Sequence, residues 1–296
     1  MPDVRGLRGV VPYLPTPLTS AGVVDEAALQ RLVDHLIDSG VHGLTALGST
    51  GEFAYLDFAA KERVVAATVE AAKGRVPVIA GVAATTTVDA VKQAKRWAEL
   101  GADGILAVLE AYFPVPDDGV IDYFTAVADA TDLPVTLYTN PNFQRADLSL
   151  PVIDRLSHHP NIAFLKDAST NTGRLLSVMN MTEGRIGVFA ASSHITVAVM
   201  LIGERGWLAG PSCLTPRQSV RLFELCEAGD WTGAMALQRE LWAVNQVFAR
   251  FNLAGAVKAG LTLQGFDCGQ PAPPQAALSP DAVEEVRRVL AQVGAL

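Results

Sequence analysis

Residues 76–109 read VPVIAGVAATTTVDAVKQAKRWAELGADGILAVL. The stretch opens on a short apolar run, VPVIAGVA at 76–83, in which polar and apolar side chains do not alternate. A strand of that kind is buried on both faces, as strands of parallel sheets are. The segment 88–101 has helical periodicity and stops on Gly101. A second apolar run, ADGILAVL at 102–109, follows at once. Strand, helix and strand of these lengths make a βαβ unit, two parallel strands joined by a crossover helix.

The same unit repeats in both directions. Further strand-like runs lie at 9–14, 42–48, 133–139, 162–168, 185–191 and 205–210. Helical patterns lie between them: one from Asp25 to Gly40, one from Asp57 to Gly74, then 119–131, 149–158, 171–181 and 194–202. Eight strand signals, each followed by a helical one, predict an α/β fold of the (β/α)8 TIM-barrel type. A doubly wound open sheet is the competing arrangement. It favours a glycine-rich phosphate loop after the first strand, and residues 15–24 read PTPLTSAGVV instead. The alternation stops after residue 216, and the rest is helical except for the proline-rich 269–280. The expected organisation is a barrel carrying the active site over 1–215 and a C-terminal helical extension over 216–296.

Half of the residues are hydrophobic, enough for a large core, and the net charge is −8. That sign argues against nucleic acid or an anionic membrane as partner. No apolar run is long enough to span a bilayer, and the first residues carry no apolar signal-peptide core. Cys213, Cys226 and Cys268 are odd in number and widely spaced. They suggest no disulfide framework, and the expected compartment is a reducing cytoplasm. His35, His42, His158, His159 and His194 show no zinc-ligand spacing, so no metal is expected.

A TIM barrel carries its chemistry at the C-terminal ends of its strands. Those ends hold Thr16, the run Gly48-Ser49-Thr50-Gly51-Glu52, Tyr112, Tyr138 with Asn140, Lys166, and Leu208. Lys166 closes an apolar strand, IAFLKD, where a lysine is rarely buried without a partner. A lysine amine of pKa ~10.4 is inert at neutral pH. Burial beside Phe164 and Leu165 lowers that value and makes the amine a nucleophile toward ketones. A tyrosine linked to a second hydroxyl then moves the protons. Taken singly, each residue has a plainer reading. A strand-end lysine is a solvated tip, Ser49 to Glu52 fits a helix capping box, and the tyrosines are core-edge aromatics. Lys258, in the helical run GAVKAGLTL, reads as a lysine reaching outward to water. Joint placement of the first group on one rim favours the chemical reading.

The chain resembles the dihydrodipicolinate synthase / N-acetylneuraminate lyase family of pyruvate-type class I aldolases. The resemblance runs over nearly the full length: TP at 16–17, GSTGE at 48–52, AYFP at 111–114, YxxP at 138–141, LKDAS at 165–169 and VKAGL around 258. It implies a homotetrameric barrel with neither metal nor organic cofactor. It also implies that Lys166 forms a Schiff base with a 2-keto acid such as pyruvate. By the same resemblance Tyr138 is the acid/base, Ser49 the relay hydroxyl and Tyr112 the end of the relay, reaching toward a neighbouring subunit. Thr50, with Gly48 and nearby backbone N–H groups, holds the carboxylate, and Leu208 lines the pocket through its backbone.

Members that condense pyruvate with aspartate semialdehyde carry an arginine two residues after the YxxP proline. Here that position is Phe143, which cannot grip a carboxylate as an arginine fork does. The segment after strand 7 reads Ala191-Ser192-Ser193-His194 where the family has S-G-x-D. Asn140, Phe143 and Gln144 therefore become candidate determinants of the second substrate. The expected function is a Schiff-base lyase or aldolase joining or splitting a 2-keto acid and an aldehyde without that carboxylate. An aldolase or dehydratase of 2-keto-3-deoxy sugar acids uses the same imine. A keto-acid-binding member without turnover is the alternative of another class.

Overall fold

Eight parallel strands form one sheet: β1 (Gly9–Pro12), β2 (Leu44–Ala46), β3 (Val78–Ala84), β4 (Gly104–Leu109), β5 (Val135–Thr139), β6 (Ile162–Asp167), β7 (Gly187–Ala190) and β8 (Gly206–Ala209). Their order is β1-β8-β7-β6-β5-β4-β3-β2. The ends meet, because the His42 N–H donates to the Val10 carbonyl and the Leu14 N–H to the Thr45 carbonyl, both at 2.9 Å. The result is the TIM barrel expected from the alternation. The computed structural model describes residues 4–145, 148–169, 171–191 and 195–296, the side chains of residues 143 and 144 excepted.

The helices between the strands are α1 (Glu26–Asp38), α2 (Phe58–Ala72), α3 (Thr87–Glu99), α4 (Asp117–Asp129), the single turn α5 (Pro141–Gln144), α6 (Leu150–Ser157), α7 (Thr172–Thr182) and α8 (Thr196–Leu201). Their starts follow side-chain chemistry. Asp25 accepts a hydrogen bond from the Ala28 N–H at 2.9 Å, and Asp57 one from the Ala60 N–H at 2.7 Å. Each satisfies an orphan donor of the first helical turn. The outer face of β3 is tied to α3 by polar side chains that are themselves buried. Trp97 donates to the Gly81 carbonyl at 2.9 Å, and Gln93 bonds both the N–H and the carbonyl of Ala83.

Beyond β8 come α9 (Pro216–Glu227), α10 (Trp231–Arg250), α11 (Leu253–Leu263) and α12 (Pro280–Gln292). Helix α9 packs on β1 and so follows β8 in the ring of barrel helices, while α10 crosses from α9 to α11 and α12. Among the described residues no helix is long and apolar enough to cross a membrane.

Inside the barrel, side chains alternate in layers. Lys166 pairs in register with Tyr138 on one side and Phe189 on the other. Phe164, two residues before Lys166, packs edge-on against Phe189 with ring centroids 5.4 Å apart. Two buried aromatic rings thus pack together in the barrel core beside the strand that carries the amine.

Glu204, just before β8, is buried with neither carboxylate oxygen partnered. Burial, and secondarily the charge of Asp167, pushes its pKa from the ordinary 4.5 up to about 8. Between those values the folded chain holds a proton that the unfolded chain has released. Stability therefore falls as pH rises through this window, by up to about 1.4 kcal/mol per pH unit. Glu204→Gln is expected to flatten that slope and to be the more stable protein at pH 8–9. Urea unfolding between pH 5 and 9 measures it, and parallel slopes for the two proteins would contradict the assignment.

Candidate active site

The loop after β2 supplies the hydroxyls. Its turn, Ser49–Gly51, is bracketed by two non-glycine residues in left-handed conformation, Leu47 at φ 55° and Glu52 at φ 60°. Such residues are uncommon and persist where their surroundings enforce them. Here Glu52 is anchored. Its Oε1 accepts from the Ala272 N–H at 2.6 Å and from Gln275 at 2.9 Å, and its Oε2 lies 2.6 Å from Lys258 Nζ. Lys258 also donates to the Gln270 carbonyl at 2.9 Å. Both charges are buried. Two sequence readings are corrected by this geometry. Lys258 does not reach outward, because its partner is inside. Glu52 is no capping-box residue, because its carboxylate is spent on α11 and the 270–275 segment.

Thr16 is buried and donates to the Gly51 carbonyl at 2.7 Å, so it shapes the turn from behind. Gly48 and Gly210 each leave room for a neighbour. A Cβ on Gly48 would fall 2.3 Å from the ring of Tyr13, and one on Gly210 would fall 2.3 Å from Thr50 Oγ1. Thr50 Oγ1 itself is buried without a partner.

Lys166 is the penultimate residue of β6 and is 2% exposed. Its Nζ lies over two phenol rings, 3.8 Å from the centroid of Tyr13 and 3.8 Å from that of Tyr138. Burial alone pushes the amine well below the ordinary lysine value. The next residue, Asp167, faces away and pairs with Arg174 at 2.9 Å. Burial also raises the Tyr138 phenol, an effect opposed by hydrogen bonds to Asn140 and Ser49. Asn140 Nδ2 donates to the Tyr138 oxygen at 2.9 Å, and its Oδ1 caps α5 through the Asn142 N–H at 3.0 Å. Ser49 and Tyr138 are thus joined by a hydrogen bond, and the Lys166 amine lies over the face of the same tyrosine.

These residues open into a cavity of about 550 Å³. Ser49, Thr50, Tyr138, Asn140, Lys166 and Leu208 line it, as the sequence suggested. Gly48 and Thr16 support the wall without lining it. Tyr112 is not brought to the cavity: it is 75% exposed, its ring edge-on to an equally exposed Phe113 at 4.8 Å. The side chains of Phe143 and Gln144, and Ser192, Ser193 and His194, lie outside the described residues. Sequence reasoning missed Tyr13 and the whole wall from α10. Trp242, Asn245, Gln246 and Ala249 follow the spacing i, i+3, i+4, i+7 and line one side. That mixed aromatic and amide face, too polar for core and too apolar for solvent, was the available signal. Among the described lining residues, Lys166 and the two tyrosines are the ionisable ones.

Residues 6–293 match the Dihydrodipicolinate synthetase family. The chain is 35% identical to the 4-hydroxy-tetrahydrodipicolinate synthase of Acidiphilium cryptum, with 98% of this chain and 99% of that protein covered. It is 33% identical to an uncharacterized DapA-like lyase of Halobacterium salinarum, covering 99% and 96%. Among solved structures, the dihydrodipicolinate synthase of Acinetobacter baumannii complexed with pyruvate superposes with a TM-score of 0.94 at 26% identity, covering 98% and 100%. YagE of E. coli K12 in complex with pyruvate gives 0.93 at 26% identity, covering 98% and 99%.

The buried pair ties the hydroxyl turn to the C-terminal helices, so its loss should be felt in stability. Lys258→Met leaves Glu52 buried without its cation and is expected to cost about 3–5 kcal/mol. The double variant Glu52→Gln/Lys258→Met should recover part of that. Denaturant titration of the three proteins decides, and a loss below about 1 kcal/mol in the single variant would contradict the role given to the pair.

Proposed function

The chain belongs to the dihydrodipicolinate synthetase family, whose members are lyases working through a lysine Schiff base, and we propose that its cavity joins or splits a 2-keto acid such as pyruvate and an aldehyde that lacks a carboxylate near position 143. The observation that carries this reading is the Lys166 amine, buried without a counter-charge and flanked by two phenols at the head of the cavity.

The neutral amine adds to the C2 carbonyl of the keto acid. The carbonyl oxygen takes up protons and departs as water, leaving an iminium on Nζ. Loss of a C3 proton gives the enamine, whose carbon adds to the aldehyde, and water then frees product and amine. The reverse sequence cleaves the same bond. In this scheme Tyr138 exchanges protons with the departing oxygen, and Ser49 feeds its hydroxyl. Asn140 orients Tyr138. Thr50, with its unpartnered hydroxyl, receives the keto-acid carboxylate at the turn shaped by Thr16 and Gly48. Leu208 closes the pocket. Tyr112 would act across a subunit boundary in a homotetramer, which gives its exposed ring a place.

The wall facing Lys166 carries Asn142, Asn245 and Gln246, together with Trp242 and Phe248. Amides and aromatic faces suit a neutral, hydroxylated chain better than a second carboxylate, which takes an arginine or lysine. The same wall favours, as the second reading, a 2-keto-3-deoxy sugar acid that is cleaved or dehydrated through the same imine. Incubation with a set of sugar acids separates the two: pyruvate release marks cleavage, and loss of water alone marks dehydration.

Borohydride with pyruvate is expected to fix a pyruvyl adduct on Lys166 and on no residue in Lys166→Ala. Because burial lowers the amine pKa, the neutral fraction rises with pH through that lowered value. The trapping rate should therefore level off well below the ordinary lysine range. An adduct elsewhere, or a rate still climbing at pH 10, would end the proposal. Phe143→Arg is expected to raise turnover of a semialdehyde bearing a carboxylate by about tenfold or more, the scale of a new arginine–carboxylate contact. Unchanged turnover in the folded variant would mean that position 143 does not meet the substrate.

A further inference from the structure

We propose that the faces of Tyr13 and Tyr138 form an aromatic bracket that stabilises positive charge on the Lys166 nitrogen, which makes Tyr13 a catalytic residue of the imine chemistry. The consequence for catalysis rests on the Schiff-base reading above; the bracket itself rests on geometry alone. Nζ stands 3.8 Å from both ring centroids. The face of an aromatic ring carries the negative lobe of its quadrupole, and attraction to a cation is strongest where water is excluded. Lys166 is 2% exposed and Tyr13 1% exposed.

The chemistry asks for two opposed things at one atom. The amine must be neutral to attack the ketone, yet the iminium that follows is a cation at the same place. A carboxylate beside Nζ would favour the cation but would also fix the resting amine as ammonium. Two ring faces favour the cation more weakly, leaving burial to set the resting state. Other charges near Nζ do not substitute for the bracket. Asp167, on the same strand, points to Arg174 at 2.9 Å, and Glu52 and Lys258 neutralise each other at 2.6 Å. From β5 comes the Tyr138 phenol, from the β2 loop the Ser49 hydroxyl, from β7 and β8 the apolar Phe189 and Leu208.

Tyr13 is placed by the backbone. It follows β1, its N–H donates to the Ala209 carbonyl at 3.3 Å, and its ring lies against the bare backbone of Gly48. Its hydroxyl is buried and unpartnered. Ring and hydroxyl are therefore separable: phenylalanine keeps the face and removes only an orphan group.

The test is titration of the Lys166 amine in the ligand-free protein, followed by NMR of ε-labelled lysine. The variants replace Tyr13 by phenylalanine, by progressively fluorinated phenylalanines of nearly equal volume, and by leucine. The expected result is a near-native pKa in Tyr13→Phe, a stepwise fall with fluorination, and a fall of about one unit in Tyr13→Leu. The imine with pyruvate, trapped by borohydride at equilibrium, should weaken in the same order and by roughly tenfold in Tyr13→Leu. An amine pKa indifferent to fluorination overturns the bracket. A shift in Tyr13→Phe as large as in Tyr13→Leu overturns it too, because it assigns the effect to the hydroxyl. If the unaltered protein forms no imine, the Schiff-base reading fails, while the titration still decides the bracket.

Discussion

The rest of the structure depends on one constraint, a lysine amine buried with no anion beside it. Burial disfavours the ionised amine and pushes its pKa well below the ordinary lysine value. The same chain shows the alternative. Lys258 is as buried as Lys166 but has Glu52 at 2.6 Å and hydrogen bonds to backbone. A lysine with a carboxylate partner is a strut, and one without such a partner is free to serve as the reagent proposed above. In the proposed scheme, the cavity being otherwise lined by hydroxyls, amides and apolar groups, the negative charge that balances an iminium comes from the keto acid itself. In that scheme the substrate's carboxylate enters a site without a fixed charge partner and becomes the counter-ion of the iminium.

The C-terminal helices are part of that arrangement. Helix α11 supplies Lys258, the 270–275 segment holds Glu52, and through Glu52 they hold the turn that presents Ser49 and Thr50. Helix α10 walls the cavity. A polar turn with two left-handed residues would relax if left free. Pinning it from the far end of the chain gives the small hydroxyls fixed positions.

How much of this could be read from the sequence follows from locality. The β/α alternation was legible because each buried parallel strand and each capped helix carries its own signal, Asp25 and Asp57 among them. Ser49, Thr50, Tyr138, Lys166 and Leu208 were legible because strand ends of a barrel converge by symmetry. What escaped depends on long-range contacts. Tyr13 reads as one more apolar residue of the first strand until Lys166 is seen above its ring. Trp242, Asn245 and Gln246 lie some eighty residues beyond Lys166. Lys258 and Glu52 obey local rules of solvated and capping residues, which lose once the two are buried together. Tyr112 has no role that one copy of the chain displays.

The site also divides by stiffness. The groups assigned to the keto acid in the proposed function sit at the ends of β2, β5, β6 and β8, where neighbouring strands or a buried ion pair fix them. The groups assigned to a second substrate in that proposal sit on the single turn α5 and on the rim helix α10. A strand end in a closed barrel cannot shift without breaking hydrogen bonds to a neighbour, so its chemistry tolerates little change. A helix face at the rim changes one side chain at a time and leaves the sheet intact. The proposed reading of Phe143, on α5, as a determinant of the second substrate therefore leaves the roles proposed for Lys166, Tyr138 and Ser49 unaltered. In the function proposed above, position 143 bears on which aldehyde is accepted, and not on whether the enamine forms.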